Sequence, residues 1–173
     1  MFVKVSIIMS CYNSQATIGQ SIESILNQSY ENFELLICND GSIDDTFREI
    51  EKYSKADKRI SIFKNEKNIG LTKSLNLLIN KSDGEFIARQ DDDDISLSHR
   101  IETQIKVIKD LNLDFATSRA KILGTDKLIP GLSFNLPASF VMNFKNPFIH
   151  GTLLIKKKIL NDIGNYDERF YYA

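Results

Sequence analysis

The stretch GEFIARQDDDDIS, Gly84 to Ser96, sets four carboxylates, Asp91 to Asp94, directly behind a run that reads as a β-strand. Two unit charges about 6 Å apart repel by roughly 3 kcal/mol at an effective dielectric of about 20. Water and salt weaken that repulsion, but four in a row still need a reason. In extended backbone, successive side chains point to opposite sides, which places Asp91 and Asp93 on one face and Asp92 and Asp94 on the other. Two carboxylates on one face beside open water suit a hard cation such as Mg²⁺ or Mn²⁺. Mg²⁺ keeps several waters and is completed by substrate phosphates, so one or two protein carboxylates are enough. The plainer reading is a solvated acidic loop ahead of a helix, with Ser98 as a capping candidate.

Two other acidic-site chemistries fit less well. Counted from Asp91, an EF-hand loop finds Glu102 at its twelfth position, but Ile95 and Ser96 occupy the fifth and sixth, where an oxygen ligand and Gly are required. An aspartyl-nucleophile phosphohydrolase pattern, D-x-D-x-[TV], matches Asp91 and Asp93 with Ile95 in the last place. That pattern belongs after a first strand, and here it follows the fourth.

The elements that must carry these residues alternate. VKVSIIM (3–9), FELLICN (33–39), ISIF (60–63) and GEFIARQ (84–90) read as strands. Between them, Ile18, Ile22, Ile25 and Leu26 mark a first helix, and Phe47, Ile50 and Tyr53 a second, with Asp44 and Asp45 at the end where the helix dipole favours anions. Leu71, Leu75, Leu78 and Ile79 stripe a third helix, and Ile101, Ile105 and Ile108 a fourth. This order predicts an α/β fold, a mostly parallel central sheet with helices on both faces. After Leu113 the rhythm weakens to a strand or two in 113–124, an irregular stretch over 128–147, a strand at FIHGTLLI and a short helix ended by Gly164.

Parallel sheets bind ligands beyond the carboxyl ends of their strands. Ser10, Tyr12 and Asn13 follow the first strand, Asp40, Gly41 and Ser42 the second, and the aspartates the fourth. Three segments therefore deliver polar groups to one edge. The chain of 173 residues is expected to form a single domain, with 42% hydrophobic and 26% charged residues supplying an ordinary core. Its 22 Lys plus Arg against 23 Asp plus Glu, a net charge of -1, argue against a nucleic-acid binder with a broad basic face. Cys11 and Cys38 are expected to be small buried hydrophobes in a reducing compartment. No apolar run approaches the ~20 residues of a spanning helix and no signal peptide opens the chain, so a cytoplasmic location is expected.

With these residues in place, VSIIMSCYNSQATIGQSIESILNQSYENFELLICNDGSIDDT resembles the opening of the family 2 inverting glycosyltransferases, which have the GT-A fold. NIGLTKSLNLLINKSDGEFIARQDDDDISLSHRIETQ resembles their following segment, with its D-x-D motif, and HGTLLIKKKILNDIGNYDERF the segment just before their catalytic base. The resemblance implies a nucleotide-diphosphate-sugar donor, UDP-sugar favoured, and a divalent metal, Mn²⁺ or Mg²⁺. It implies donor contacts from Ser10, Tyr12 against the base, Asp40 to base or ribose, and Asp91 or Asp92 nearer the ribose, with Asp93 and Asp91 as the metal pair. It further implies inverting transfer to a glycan or lipid-linked acceptor in cell-surface polysaccharide synthesis, with peripheral membrane association at the inner face as an option. Residues 1–112 are expected to form the nucleotide-sugar half and 113–173 the start of the acceptor half.

An inverting transfer needs a general base. By the motif it falls beyond Ala173, after Asp167 and Glu168, so the chain is expected to be a fragment truncated at its C-terminus. A donor-binding module without turnover and a metal-dependent phosphohydrolase are the alternatives. Lys73 and His150 are read first as structural, and otherwise as a diphosphate and an acceptor-side contact. Lys156 to Lys158 read as a solvated helix start.

Overall fold

A computed structural model describes residues 3–170 of the chain. β1 (Val5–Cys11) is buried along its whole length, as an interior parallel strand built of β-branched and apolar residues must be. It is followed by α1 (Ile18–Leu26), β2 (Phe33–Asn39), α2 (Thr46–Ala56), β3 (Ile60–Lys64), α3 (Leu71–Lys81), β4 (Phe86–Arg89) and α4 (Arg100–Asp110). These eight elements match the predicted alternation. Beyond them come β5 (Phe115–Ala116), β6 (Ala120–Lys121), β7 (Leu128–Ile129), α5 (Ala138–Val141), β8 (Leu154–Lys156) and α6 (Lys157–Asp162).

The main sheet has the order β3-β2-β1-β4-β8-β5. β1, β2, β3 and β4 are parallel, and β8 runs antiparallel to both β4 and β5. Alternate residues of each strand face opposite layers. On one side, Ile7, Met9, Leu35, Ile37 and Ala88 meet Ile18, Ile22 and Ile25 of α1, Ile50 of α2 and Ile101, Ile105 and Ile108 of α4. On the other, Ile8, Leu36 and Ile87 meet Leu75, Leu78 and Ile79 of α3 and Leu160 of α6. Each side chain so covered contributes roughly 1.5–3 kcal/mol. Cys11 and Cys38 are both buried, unpaired and on opposite faces. Burial pushes the Cys38 thiol up to about 11, so neither behaves as a reactive thiolate.

The later half departs from the sequence reading in three places. The strand expected over FIHGTLLI is confined to Leu154–Lys156, because His150–Thr152 close a 3-10 turn. The stretch read as irregular holds the β6–β7 hairpin and the short α5. In the run read as a solvated helix start, Lys156 pairs with Asp114 at 2.9 Å and Lys157 donates to the Ser82 carbonyl. Among the described residues no helix is long and apolar enough to cross a membrane.

The strand starts are stapled by Glu34, whose carboxylate accepts from Lys4 at 2.7 Å, from the Ser6 hydroxyl and from the Asp83 backbone N–H at 2.8 Å. Partial burial pushes its carboxyl up, but these hydrogen bonds outweigh it and hold the group below its ordinary value. Glu34→Ala is expected to cost about 2 kcal/mol, lowering Tm by roughly 4–8 °C in thermal unfolding. Because the folded value is depressed, this stabilisation is present above the ordinary glutamate value of 4.5 and disappears as pH falls below it, where wild type and variant should converge.

Candidate functional site

The sheet grows outward from β1 in one direction as β2 and β3, then α3 carries the chain back to the other side of β1 as β4. The crevice beyond the carboxyl ends of β1 and β4 is thus the topological switch point, where α/β sheets bind ligands. Ser10 is the penultimate residue of β1 and buried. Tyr12, just past the strand, is 45% exposed.

The loops around this crevice are cross-linked. The Asn13 N–H donates to the Ser42 hydroxyl and the Asn13 side-chain oxygen accepts from the Ile43 N–H. The Ser14 N–H donates to the Thr46 hydroxyl at 2.7 Å, and Gln15 exchanges hydrogen bonds with Asp44 and Asp45. Asn13 takes a positive φ of 53°, which asparagine tolerates better than most residues. The β1–α1 and β2–α2 loops therefore form one rigid rim. Ser14 also donates to Asp92, tying in the third loop.

Asp40 is 2% exposed and receives three hydrogen bonds from the protein. Oδ1 accepts from Asn65 Nδ2 at 2.7 Å and the Ile69 N–H at 3.0 Å, and Oδ2 from the Gly70 N–H at 2.9 Å. Gly70 caps α3, so the carboxylate sits where that helix dipole favours an anion. Next to it, a Cβ on Gly41 would lie 2.5 Å from the Lys67 backbone, and its φ of 72° lies in the left-handed region. Only glycine lets the two loops approach this closely there.

The four aspartates do not follow extended backbone. Residues 91–94 form a turn closed by the Asp94 N–H on the Asp91 carbonyl at 3.3 Å. The expected pairing of Asp91 with Asp93 on one face is therefore replaced. Asp91 and Asp94 converge instead, since a Cβ built on Gly151 would lie 2.7 Å from Asp91 Oδ2 and 3.0 Å from Asp94 Oδ2. Asp92 turns inward to Ser14, and Asp93 is exposed, with no hydrogen-bond partner among the described residues. Burial, then the charge of Asp93, push the Asp92 carboxyl up against the Ser14 hydrogen bond. Burial, then Asp91 and Asp93, push Asp94 up, with Arg100 and Arg89 opposing. The donors the turn offers are hard carboxylate oxygens, the class a divalent cation takes, although among the described residues no three His, Cys, Asp or Glu side chains gather into a preformed cation site.

Several contributors were missed in the sequence. Arg89, 4% exposed, pairs with Asp91 at 2.9 Å and lies 3.4 Å from His150 Nδ1. Arg100 is nine-tenths buried, donating to the Arg89 and Gly151 carbonyls, and burial lowers its pKa to about 10. An arginine closing an interior strand was the available signal, because such a charge needs a partner. Ser98 does not cap α4; His99 takes the N-cap position, without a side-chain capping bond. His150 sits edge-on to Tyr166, with ring centroids 6.4 Å apart. Lys73 is exposed on the first turn of α3, beside Thr72, Arg169 and Phe170, and among the described residues makes no hydrogen bond or ion pair with the aspartate turn.

The C-terminal segment returns along α3. Asn76 donates to the Tyr166 carbonyl at 2.8 Å and accepts the Tyr166 N–H at 3.0 Å, and Thr72 donates to the Phe170 carbonyl at 2.7 Å. Asp167 is forked by Arg169, whose hydrogen bonds hold its carboxyl down at about 2. The base itself, expected beyond Ala173, lies outside the described residues.

Comparison with known proteins bears on this arrangement. The Escherichia coli enzyme WfgD, a UDP-Glc:alpha-D-GlcNAc-diphosphoundecaprenol beta-1,3-glucosyltransferase, is 37% identical over 125 residues, covering 72% of this chain and 49% of WfgD. The structure of Staphylococcus aureus TarS 1-349 in complex with UDP superposes with a TM-score of 0.81 at 22% identity, covering 97% of this chain and 51% of TarS 1-349. The mannosyltransferase PcManGT from Pyrobaculum calidifontis, in complex with GDP-Man and Mn²⁺, gives 0.78 at 19%, covering 95% and 47%. The chain spans about half the length of these relatives. Their common fold is GT-A, with its mostly parallel central sheet. The family model for "Glycosyl transferase family 2" matches residues 6–164, from the start of β1 through α6 and across every loop of the crevice, and the chain belongs to that family.

Proposed function

We propose that the chain binds a nucleoside-diphosphate sugar, UDP-sugar in preference, and is the donor-binding portion of an inverting glycosyltransferase that builds cell-surface polysaccharide. The observation that carries this reading is the convergence of the Asp91 and Asp94 carboxylates on Gly151 at the crevice between β1 and β4, next in chain to an Asp93 carboxylate that is exposed and has no hydrogen-bond partner among the described residues. In support, PcManGT is described with Mn²⁺, TarS with UDP, and WfgD by name uses UDP-Glc.

In this reading exposed Tyr12 stacks on the base and Ser10 lines the pocket floor. Asp40 anchors the α3 entrance and offers the base or ribose its remaining Oδ2 lone pair. Asp91 or Asp92 reaches the ribose, while Asp93 with Asp91, aided by Asp94, holds a divalent cation, Mn²⁺ or Mg²⁺. When bound, the cation neutralises charge developing on the leaving diphosphate. The acceptor hydroxyl attacks the anomeric carbon, the bond to the diphosphate oxygen breaks, and the hydroxyl proton passes to a general base. Residues 1–112 serve the donor and 113–173 begin the acceptor side. A lipid-linked diphosphate like that in WfgD's name would place the reaction at the cytoplasmic membrane face.

Calorimetric titration of UDP, GDP and dTDP in Mn²⁺ tests the assignment. UDP is expected to bind at least about tenfold more tightly than the other two. No binding of any nucleotide to the folded chain would overturn it.

A further inference from the structure

We infer that Gln90 is the residue that positions the aspartate turn for its cation, an inference that rests on the metal reading proposed above. Gln90 is the residue between β4 and the turn, and its side chain is buried, at 1% exposure. A buried amide must find partners for two donors and two lone pairs. Here Nε2 reaches the Ser21 hydroxyl at 3.1 Å, the Asp91 carbonyl at 3.2 Å and the Asp94 carbonyl at 2.8 Å. Oε1 accepts from the Ser96 hydroxyl at 2.6 Å and from Arg100 Nη2 at 3.3 Å. The guanidinium has no acceptor, so the amide oxygen must face Arg100, and the NH₂ must face the turn.

One side chain therefore grips both ends of the four-aspartate turn by its backbone. Ser21, 1% exposed on α1, closes the grip by donating to the Asp91 carbonyl at 2.8 Å. Ser24 on the same helix accepts from the Ser96 N–H at 3.0 Å. The repulsion among four carboxylates drives the turn open, against its own hydrogen bond from the Asp94 N–H to the Asp91 carbonyl at 3.3 Å. Gln90 and Ser21 oppose it through the backbone, so they engage none of the carboxylates, of which Asp91 pairs with Arg89 and Asp93 and Asp94 face solvent. Outer groups that orient metal ligands typically change metal affinity by about 10–100-fold when lost.

The test uses Gln90→Met, close to isosteric but without donors or acceptor, and Ser21→Ala, which removes one hydroxyl. Free Mn²⁺ is followed by its electron paramagnetic resonance signal during titration of each folded protein. UDP binding in EDTA reports the nucleotide rim, and Asp93→Ala reports loss of the site. Gln90→Met should bind Mn²⁺ about tenfold or more weakly and Ser21→Ala about threefold, both with UDP affinity in EDTA unchanged. A general structural role would move both affinities together. If Gln90→Met fails to fold, Ser21→Ala decides. Either folded variant binding Mn²⁺ as wild type does, or losing both affinities in parallel, overturns the inference. If wild type takes up no Mn²⁺ that Asp93→Ala abolishes, the metal reading itself fails, and this inference with it.

Discussion

Asp40→Ala is expected to lower stability by about 3 kcal/mol, or roughly 6–12 °C in Tm, and to weaken nucleotide binding by tenfold or more in whatever protein remains folded. The size follows from what the carboxylate holds. It is buried, and three donors from the β3–α3 loop end on it: Asn65 Nδ2 and the N–H groups of Ile69 and Gly70. Removing it strands the Ile69 N–H outright. Asn65 retains the Ser74 hydroxyl at 3.0 Å, and the Gly70 N–H retains the Asn68 side-chain oxygen at 3.1 Å, so part of the loss is recovered. Asp40→Asn separates shape from chemistry. It keeps the volume but turns an NH₂ group toward one of the backbone donors, so most of the loss should persist. Thermal unfolding and a UDP titration of both variants measure the two effects. Wild-type behaviour of Asp40→Asn in both would remove Asp40 from the account.

Gly151→Val is expected to act chiefly on the site, emptying the cation position at a moderate cost to the fold. Gly151 carries no left-handed φ, so a side chain there meets a problem of space alone. A Cβ would lie 2.7 Å from Asp91 Oδ2 and 3.0 Å from Asp94 Oδ2, distances at which something must move. Asp91 is held back by its pair with Arg89, and both carboxylates have solvent to swing into. Because Asp91 has to give way and its partner Arg89 is buried, stability without metal should fall by about 1–3 kcal/mol. Metal-dependent UDP affinity should fall by about 100-fold, and Gly151→Ala by about tenfold. A large fall in Tm with UDP affinity intact would show that Gly151 serves packing and does not shape the cation site.

The alternating core was legible because interior parallel strands announce themselves as apolar runs and their covering helices as stripes. Ile7, Leu35 and Ile87 could hardly have faced water, and Ile22, Leu78 and Ile105 stripe helices that cover them. The site edge followed from topology, since polar residues after β1, β2 and β4 must meet at the switch point. The shape of the aspartate turn was not legible. It is set by Gln90, by Ser21 from a helix about seventy residues earlier, and by Gly151 from a turn about sixty residues later, and no local pattern encodes such partners. For the same reason β5 was indistinct: two residues long, it pairs only with β8, about forty residues further on. Asp40 was legible as a polar residue at this edge, but its tie to Asn65, Ile69 and Gly70 depends on how the loop before α3 folds back over β2.

The most direct test of the central claim, that the aspartate turn holds a cation which in turn holds a diphosphate, is a calorimetric titration of UDP with and without Mn²⁺, on wild type and on Asp93→Ala. Asp93 makes no hydrogen bond within the described protein, so its loss should leave the fold intact. Wild type is expected to bind UDP at least about 100-fold more tightly with Mn²⁺ than without, and Asp93→Ala to lose that gain. Equal UDP affinity with and without Mn²⁺ in a folded protein, unchanged in Asp93→Ala, would contradict it.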